Sequence, residues 1–106
     1  MIGVHINRPT TFYRRRIEYC PFEQRRQEMV VGFAEWYDPT VSCCGCGDRW
    51  TDGERHDRPL SRYWRRDAVR VIRQLWDVAT YGPPPTLADF DPRFRDDPRF
   101  QEVELP

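Results

Sequence analysis

Lysine is absent from this chain: all 17 of its basic side chains are Arg, and 17 acids bring the formal net charge to zero. A neutral chain is a poor general binder of polyanions, because sequence-independent affinity for nucleic acid grows with the number of phosphates neutralised. Two readings of the missing lysine stand side by side. One is a GC-rich coding bias; the other is that Arg offers a planar fork suited to phosphate and carboxylate. Also missing is any run near the roughly 18 apolar residues of a membrane span. No apolar signal-peptide stretch follows Met1, so the expected setting is a reducing cytoplasm, where clustered cysteines hold metal more often than each other.

Several catalytic signatures are lacking too. There is no glycine-rich phosphate loop, and no His-x-Glu accompanies a Pro-Cys-x2-Cys as in nucleotide deaminases. The Cys43 and Cys46 pair lacks the βαβ context that marks a thiol redox motif. These absences predict a protein that is not an enzyme and has no small-molecule substrate.

What is present is a metal pattern. Three cysteines and a glutamate fill the spacing Cys20-x2-Glu23-x19-Cys43-x2-Cys46, a zinc-ribbon arrangement with one sulfur ligand replaced by a carboxylate. Two-residue gaps let each turn place two ligands on one ion while backbone amides point at the sulfurs. Gly45 and Gly47 suit the second turn, and Cys44 between the ligands reads as a spare thiol. The first turn, Cys20-Pro21-Phe22-Glu23, offers a single thiolate. The fourth ligand of a Zn2+ ion is then Glu23 through a carboxylate oxygen, His56 from beyond the last strand, or His5 from the N-terminus; a ribbon that has lost its metal is the remaining alternative.

Around these turns the pattern predicts an α+β fold: a small zinc-ribbon-like antiparallel β-hairpin sheet of about three strands, one long amphipathic helix and an extended C-terminal tail. Residues 1–13 read as a lead-in, 14–57 as the ribbon, 58–82 as the helix and 83–106 as the tail. The strands expected are 15–19, 29–37 with 41–43, and 49–51, with a turn at Asp38-Pro39-Thr40. From Ser61 to Tyr81, Trp64, Ala68, Ile72, Leu75 and Ala79 recur at helical steps, with Ser61 as the N-cap and Gly82 before Pro83-Pro84-Pro85 as the stop. Trp50, Trp64 and Trp76 are expected to pack inward. The tail is acidic, with 3 Arg against 6 acids, while residues 1–81 carry 14 Arg against 11 acids. It duplicates Asp-Pro-Arg-Phe at residues 91–94 and 97–100.

The run Tyr19-Cys20-Pro21, Glu35-Trp36-Tyr37, Cys43-x2-Cys46-Gly47-Asp48-x-Trp50-x-Asp52-Gly53-Glu54, and Arg58-Pro59-Leu60 with Trp64-Arg65-Arg66 resembles small zinc-ribbon proteins encoded by actinobacterial phages. The likeness covers roughly residues 14–76. In that family the first knuckle reads Cys-Pro-x-Cys, and this chain departs from it at Glu23. The resemblance implies a phage-encoded protein acting in the cytoplasm of a bacterial host and implies no reaction.

Two functional readings follow. An adaptor would bind a host protein of the transcription, replication or defence machinery through an aromatic and Arg surface and the Phe-bearing tail. The alternative is a nucleic-acid-binding ribbon serving transcription or DNA metabolism, using Arg next to aromatics to pair with phosphate and stack on bases. Both draw on Arg14, Arg15, Arg16, Arg25, Arg26, Trp36, Tyr37, Arg65, Arg66, Arg70, Phe94 and Phe100.

Overall fold

Alternation along residues 25–34 creates a strand with two apolar faces, and the rest of the fold is arranged to cover both. The computed structural model describes residues 11–34 and 37–90. The first ten residues, Trp36, and the tail from 91 with Phe94 and Phe100 lie outside the described residues. Four strands, β1 (Thr11–Cys20), β2 (Arg25–Ala34), β3 (Thr40–Cys43) and β4 (Arg49–Thr51), precede a long helix α1 (Arg62–Val78) and a short helix α2 (Leu87–Phe90). The strands form one antiparallel sheet in the order β1-β2-β3-β4. The architecture is thus α+β, with four strands where about three were expected and with β1 beginning four residues earlier than the pattern suggested.

On one face of β2, Met29 and Val31 pack with Val41, Trp50 and the three cysteines Cys20, Cys43 and Cys46, with Phe33 alongside. On the other face Val30 packs with Cys44 and Ile72, next to Tyr13, Leu75 and Trp76. The pleat explains the division, since successive side chains leave a strand on opposite sides. Burial pushes the Cys44 thiol up to about 11, so this cysteine is an inert member of the helix-side core.

The cysteine-bearing face is curved. In a flat sheet β1 and β4 would lie about 14 Å apart, three strand spacings. Instead the Arg16 guanidinium donates to both carboxylate oxygens of Asp52, just past β4, at 3.0 and 3.1 Å. This two-pronged contact bridges the two edges of the sheet and holds Asp52 below the usual carboxylate range.

The helix docks on the opposite face, and one arginine of β1 secures its end. Its last turn contains no basic residue. Arg15 supplies the missing charge from the strand: Nε donates to the Trp76 carbonyl at 2.9 Å and Nη2 to the Asp77 carbonyl at 3.4 Å. Its guanidinium also sits 5.0 Å from the Trp76 ring and 5.5 Å from that of Tyr81. A cation at the carbonyl end of a helix is favourable for the macrodipole as well as for the orphan carbonyls. Backbone bonds between Arg15 and Thr80, and between Thr80 and Tyr13, fix the exit of the chain along β1.

Three local expectations are corrected. Ser61 occupies the N-cap position but makes no side-chain capping bond. The helix stops at Val78 rather than near Tyr81, because Thr80 is drawn into its bridge with β1, so Gly82 (φ 145°) serves the following loop and not the cap. Residues 87–90 form a helical turn instead of an extended tail. Asp89 accepts the Thr86 N–H at 2.8 Å, and Phe90 meets the Phe12 ring edge-on at 4.9 Å.

Replacing Arg15 by Met should lower unfolding stability by about 1–3 kcal/mol in denaturant titration, since it removes a charged donor from two carbonyls and the cation beside the Trp76 ring. Arg70→Met, whose exposed side chain contacts only Asp67 at 3.4 Å, should change stability by no more than about 0.5 kcal/mol.

Candidate metal centre

Two turns of similar construction carry the sulfurs. Cys20 ends β1, and in the turn after it the Gln24 N–H donates to the Cys20 carbonyl at 2.8 Å, with Gln24 at φ 54°. The Glu23 N–H points at the Cys20 sulfur at 3.4 Å. Cys43 ends β3, and the Gly47 N–H closes the next turn on its carbonyl at 3.1 Å, while the Gly45 N–H points at the Cys43 sulfur at 3.4 Å. Backbone donors directed at sulfur are what a thiolate ligand needs from its surroundings. The two glycines are required for different reasons. Gly47 adopts φ 80°, whereas a Cβ on Gly45 would come within 2.3 Å of the Gln27 amide nitrogen.

The loop after β4 returns over these turns and brings in an imidazole. His56 Nε2 lies 3.1 Å from Cys46 Sγ and 3.9 Å from Cys20 Sγ. One donor atom from each of Cys20, Cys43, Cys46 and His56 lies within 4.8 Å of all the others. A tetrahedral ion with bonds of about 2.3 Å to sulfur and about 2.0 Å to nitrogen separates its ligand atoms by roughly 3.8 Å (S to S) and 3.5 Å (S to N). The two measured S to N distances bracket the second value. These four side chains can therefore hold a metal ion with little movement.

His56 is held from three sides. Its ring stacks on Trp50 at 4.0 Å with 13° between the planes, and Phe22 meets it edge-on at 5.2 Å. Asp48 anchors the loop that carries it: its carboxylate accepts the Arg49 N–H at 2.8 Å and the Arg58 N–H at 3.4 Å, and Oδ2 is 3.6 Å from His56 Nε2. The sequence pattern indicated none of these supporting roles. Phe22 was visible only as the variable residue of the first turn, and Asp48 only as a member of a longer motif.

Electrostatics within the cluster suit a cation. All four cysteines are free thiols, and the three at the site are fully buried. The Cys43 thiol is lowered to about 5, chiefly by a hydrogen bond from Cys46, with the backbone N–H groups of Cys46 and Gly45 adding to the effect. The same bond pushes Cys46 up, and burial pushes Cys20 up. One buried negative charge is thus shared by hydrogen bonds. A divalent cation in the centre would stabilise the second and third thiolates that burial otherwise opposes.

The expected site residues divide sharply. Cys20, Cys43, Cys46 and His56 come together. Glu23 does not join them: it is half-buried, and its contribution is the backbone N–H on Cys20. Arg14, Arg15 and Arg16 form no common patch, because the pleat sends Arg15 to the helix side and its neighbours to the other. Arg14 is spent on the Pro83 carbonyl and the Thr80 hydroxyl, Arg15 on the helix end, and Arg16 on Asp52 and Glu18. Arg65 donates to the Leu60 carbonyl at 3.1 Å. Arg25, Arg26, Arg66, Arg70 and Tyr37 are exposed.

No family model, curated protein or solved structure matches the chain. His56→Ala and Cys43→Ser should each cut the metal retained after purification to below about one-tenth of an equivalent by elemental analysis. Glu23→Gln should retain as much as the parent, because the donor it supplies is on the backbone.

Proposed function

We propose that the protein is a non-enzymatic zinc ribbon that serves as an adaptor for a host protein, in keeping with its resemblance to small phage-encoded ribbons of the bacterial cytoplasm. Three thiolates and an imidazole form a donor set that zinc favours, and complete coordination by buried side chains is the mark of a structural ion. No position is left open where a metal-bound water could act on a substrate. The ion's task in this reading is to bind the two turns and the loop bearing His56 into one rigid body.

The observation that carries the adaptor reading is the apolar surface of α1. Tyr63, Trp64, Val71 and Val78 are 80, 61, 51 and 68% exposed, although Trp64 was expected inside. Large apolar side chains gathered on one element of a small domain are a recurrent sign of a protein-binding surface. Of the two classes weighed, the nucleic-acid reading loses Arg14, Arg15 and Arg16 to internal contacts. What remains for it is Arg66 and Arg70 on α1 and Arg25 and Arg26 beside Tyr19, which is 60% exposed and directly opposite Arg26 in the sheet.

Affinity capture from nuclease-treated lysate of a bacterial host should recover one protein in stoichiometric amount, still held at moderate salt. Recovery of no specific protein, together with retention on DNA or RNA that falls steeply with salt and after Arg25→Glu and Arg26→Glu, would overturn the adaptor in favour of the alternative.

A further inference from the structure

The sheet is wider than the element that covers it. Four strands span about 19 Å and a helix about 10 Å. Among the described residues, helix α1 packs more on β1 and β2 than on β3, which leaves the β3–β4 side of that face less covered. There the structure has a groove of about 760 Å³. Thr40 and Ser42 of β3 lie on its floor, Val71 and Leu75 of α1 form one wall, and Leu60 closes one end.

The wall belongs to a longer stripe on α1. Ala68, Val71 and Leu75 line the groove, and Trp64 and Val78 extend the row beyond it at either end, the five following one another at steps of four, three, four and three, the spacing by which one helix presents a seam to another. Three of the five are more than half exposed, and the stripe runs about 21 Å along the helix at 1.5 Å per residue. A seam of that length exceeds what a small molecule needs and matches three to four turns of a second helix lying beside α1.

The rim selects the charge of such a helix. On the β4 side Arg49 and Arg58 are exposed. Arg49 has no ion-pair partner among the described residues, and Arg58 meets only Asp57 at 3.9 Å. The one carboxylate between them, that of Asp48, is buried and turned onto backbone N–H groups. On the other rim Asp67 already faces Arg70. A second copy of this chain fits less well, because its own sheet would overlap β3 and β4 or leave Arg66, Arg70 and Asp77 facing the groove floor.

We propose that the groove between α1 and the β3–β4 half of the sheet receives an amphipathic helix of the partner protein, apolar toward Ala68, Val71 and Leu75 and acidic along the flank facing Arg49 and Arg58. The proposal rests on the adaptor reading and gives that partner a shape and a charge.

A capped 18-residue peptide with Leu at four-three spacing and Glu along one flank, and its isomer with Lys in place of Glu, are titrated into the zinc-loaded protein while amide shifts are followed by NMR. The Glu peptide should bind at least tenfold more tightly than the Lys peptide and move the amides of Thr40, Ser42 and Val71. Val71→Asp, at a half-exposed position, should weaken it at least tenfold with unchanged circular dichroism. The double variant Arg49→Glu, Arg58→Glu should reverse the preference between the peptides, a readout that does not depend on Val71. Equal binding of the two peptides, or shifts confined to other faces, would overturn the proposal. So would self-association of the protein alone that Val71→Asp abolishes, since it would name a second copy as occupant. If a host protein is captured equally by the parent and by Val71→Asp, the groove assignment fails and the adaptor stands. If the Glu peptide binds as expected but no host protein is captured, the groove stands and the adaptor reading fails.

Discussion

Everything on one side of the sheet depends on four buried donor groups brought together from three separated stretches of chain. Cys20 belongs to the first turn, Cys43 and Cys46 to the second, and His56 to the loop that returns from β4. A single chain of about a hundred residues buries a modest fraction of its surface, so a central crosslink of this kind supplies what a larger core would give elsewhere. The cluster also sets the constraints on its neighbours. Gly47 must accept a positive φ, Gly45 must leave room for Gln27, and Trp50 and Phe22 must wall in the imidazole. Arg16 and Asp52 close the same face from the strand edges, so this side has a cluster able to hold a cation at one end and an ion pair at the other.

The opposite side follows a different logic. There Arg15 replaces the basic last turn that α1 lacks, and in doing so it fixes where the helix ends and how the chain leaves along β1. Two consecutive arginines of one strand thus secure the two layers, Arg16 the curved sheet and Arg15 the helix. This division also accounts for the all-Arg composition at these positions in physical terms. A guanidinium can hold a carboxylate with two prongs, or donate to helix carbonyls while lying close to aromatic rings, and an ammonium does neither as well.

How far the sequence announced this arrangement can be judged residue by residue. The expected turn at Asp38-Pro39-Thr40 is displaced, Thr40 opening β3, and β2 runs over 25–34 rather than 29–37; the bounds of β4 and the two-faced character of β2 were legible because strand alternation is a local signal. The cysteine spacing was legible for the same reason. The fourth donor was legible only as a choice among Glu23, His56 and His5, since a ligand contributed from a loop ten residues beyond Cys46 leaves no short-range pattern, and the structure selects His56. The helix end was misplaced because the pairing of Thr80 with β1 is a tertiary event that propensity does not see. Trp64 reads as core by periodicity, yet it is largely exposed, because among the described residues no element packs over that side of α1.

The central claim is that this ribbon closes on an ion through three sulfurs and one imidazole, with no carboxylate ligand at Glu23. X-ray absorption spectroscopy of the purified, metal-loaded protein tests it most directly. The account predicts three sulfur scatterers at about 2.3 Å, one nitrogen at about 2.0 Å, and the outer-shell pattern of an imidazole ring that vanishes in His56→Ala. A shell of three sulfurs and one oxygen without imidazole scattering, unchanged in His56→Ala, would contradict it.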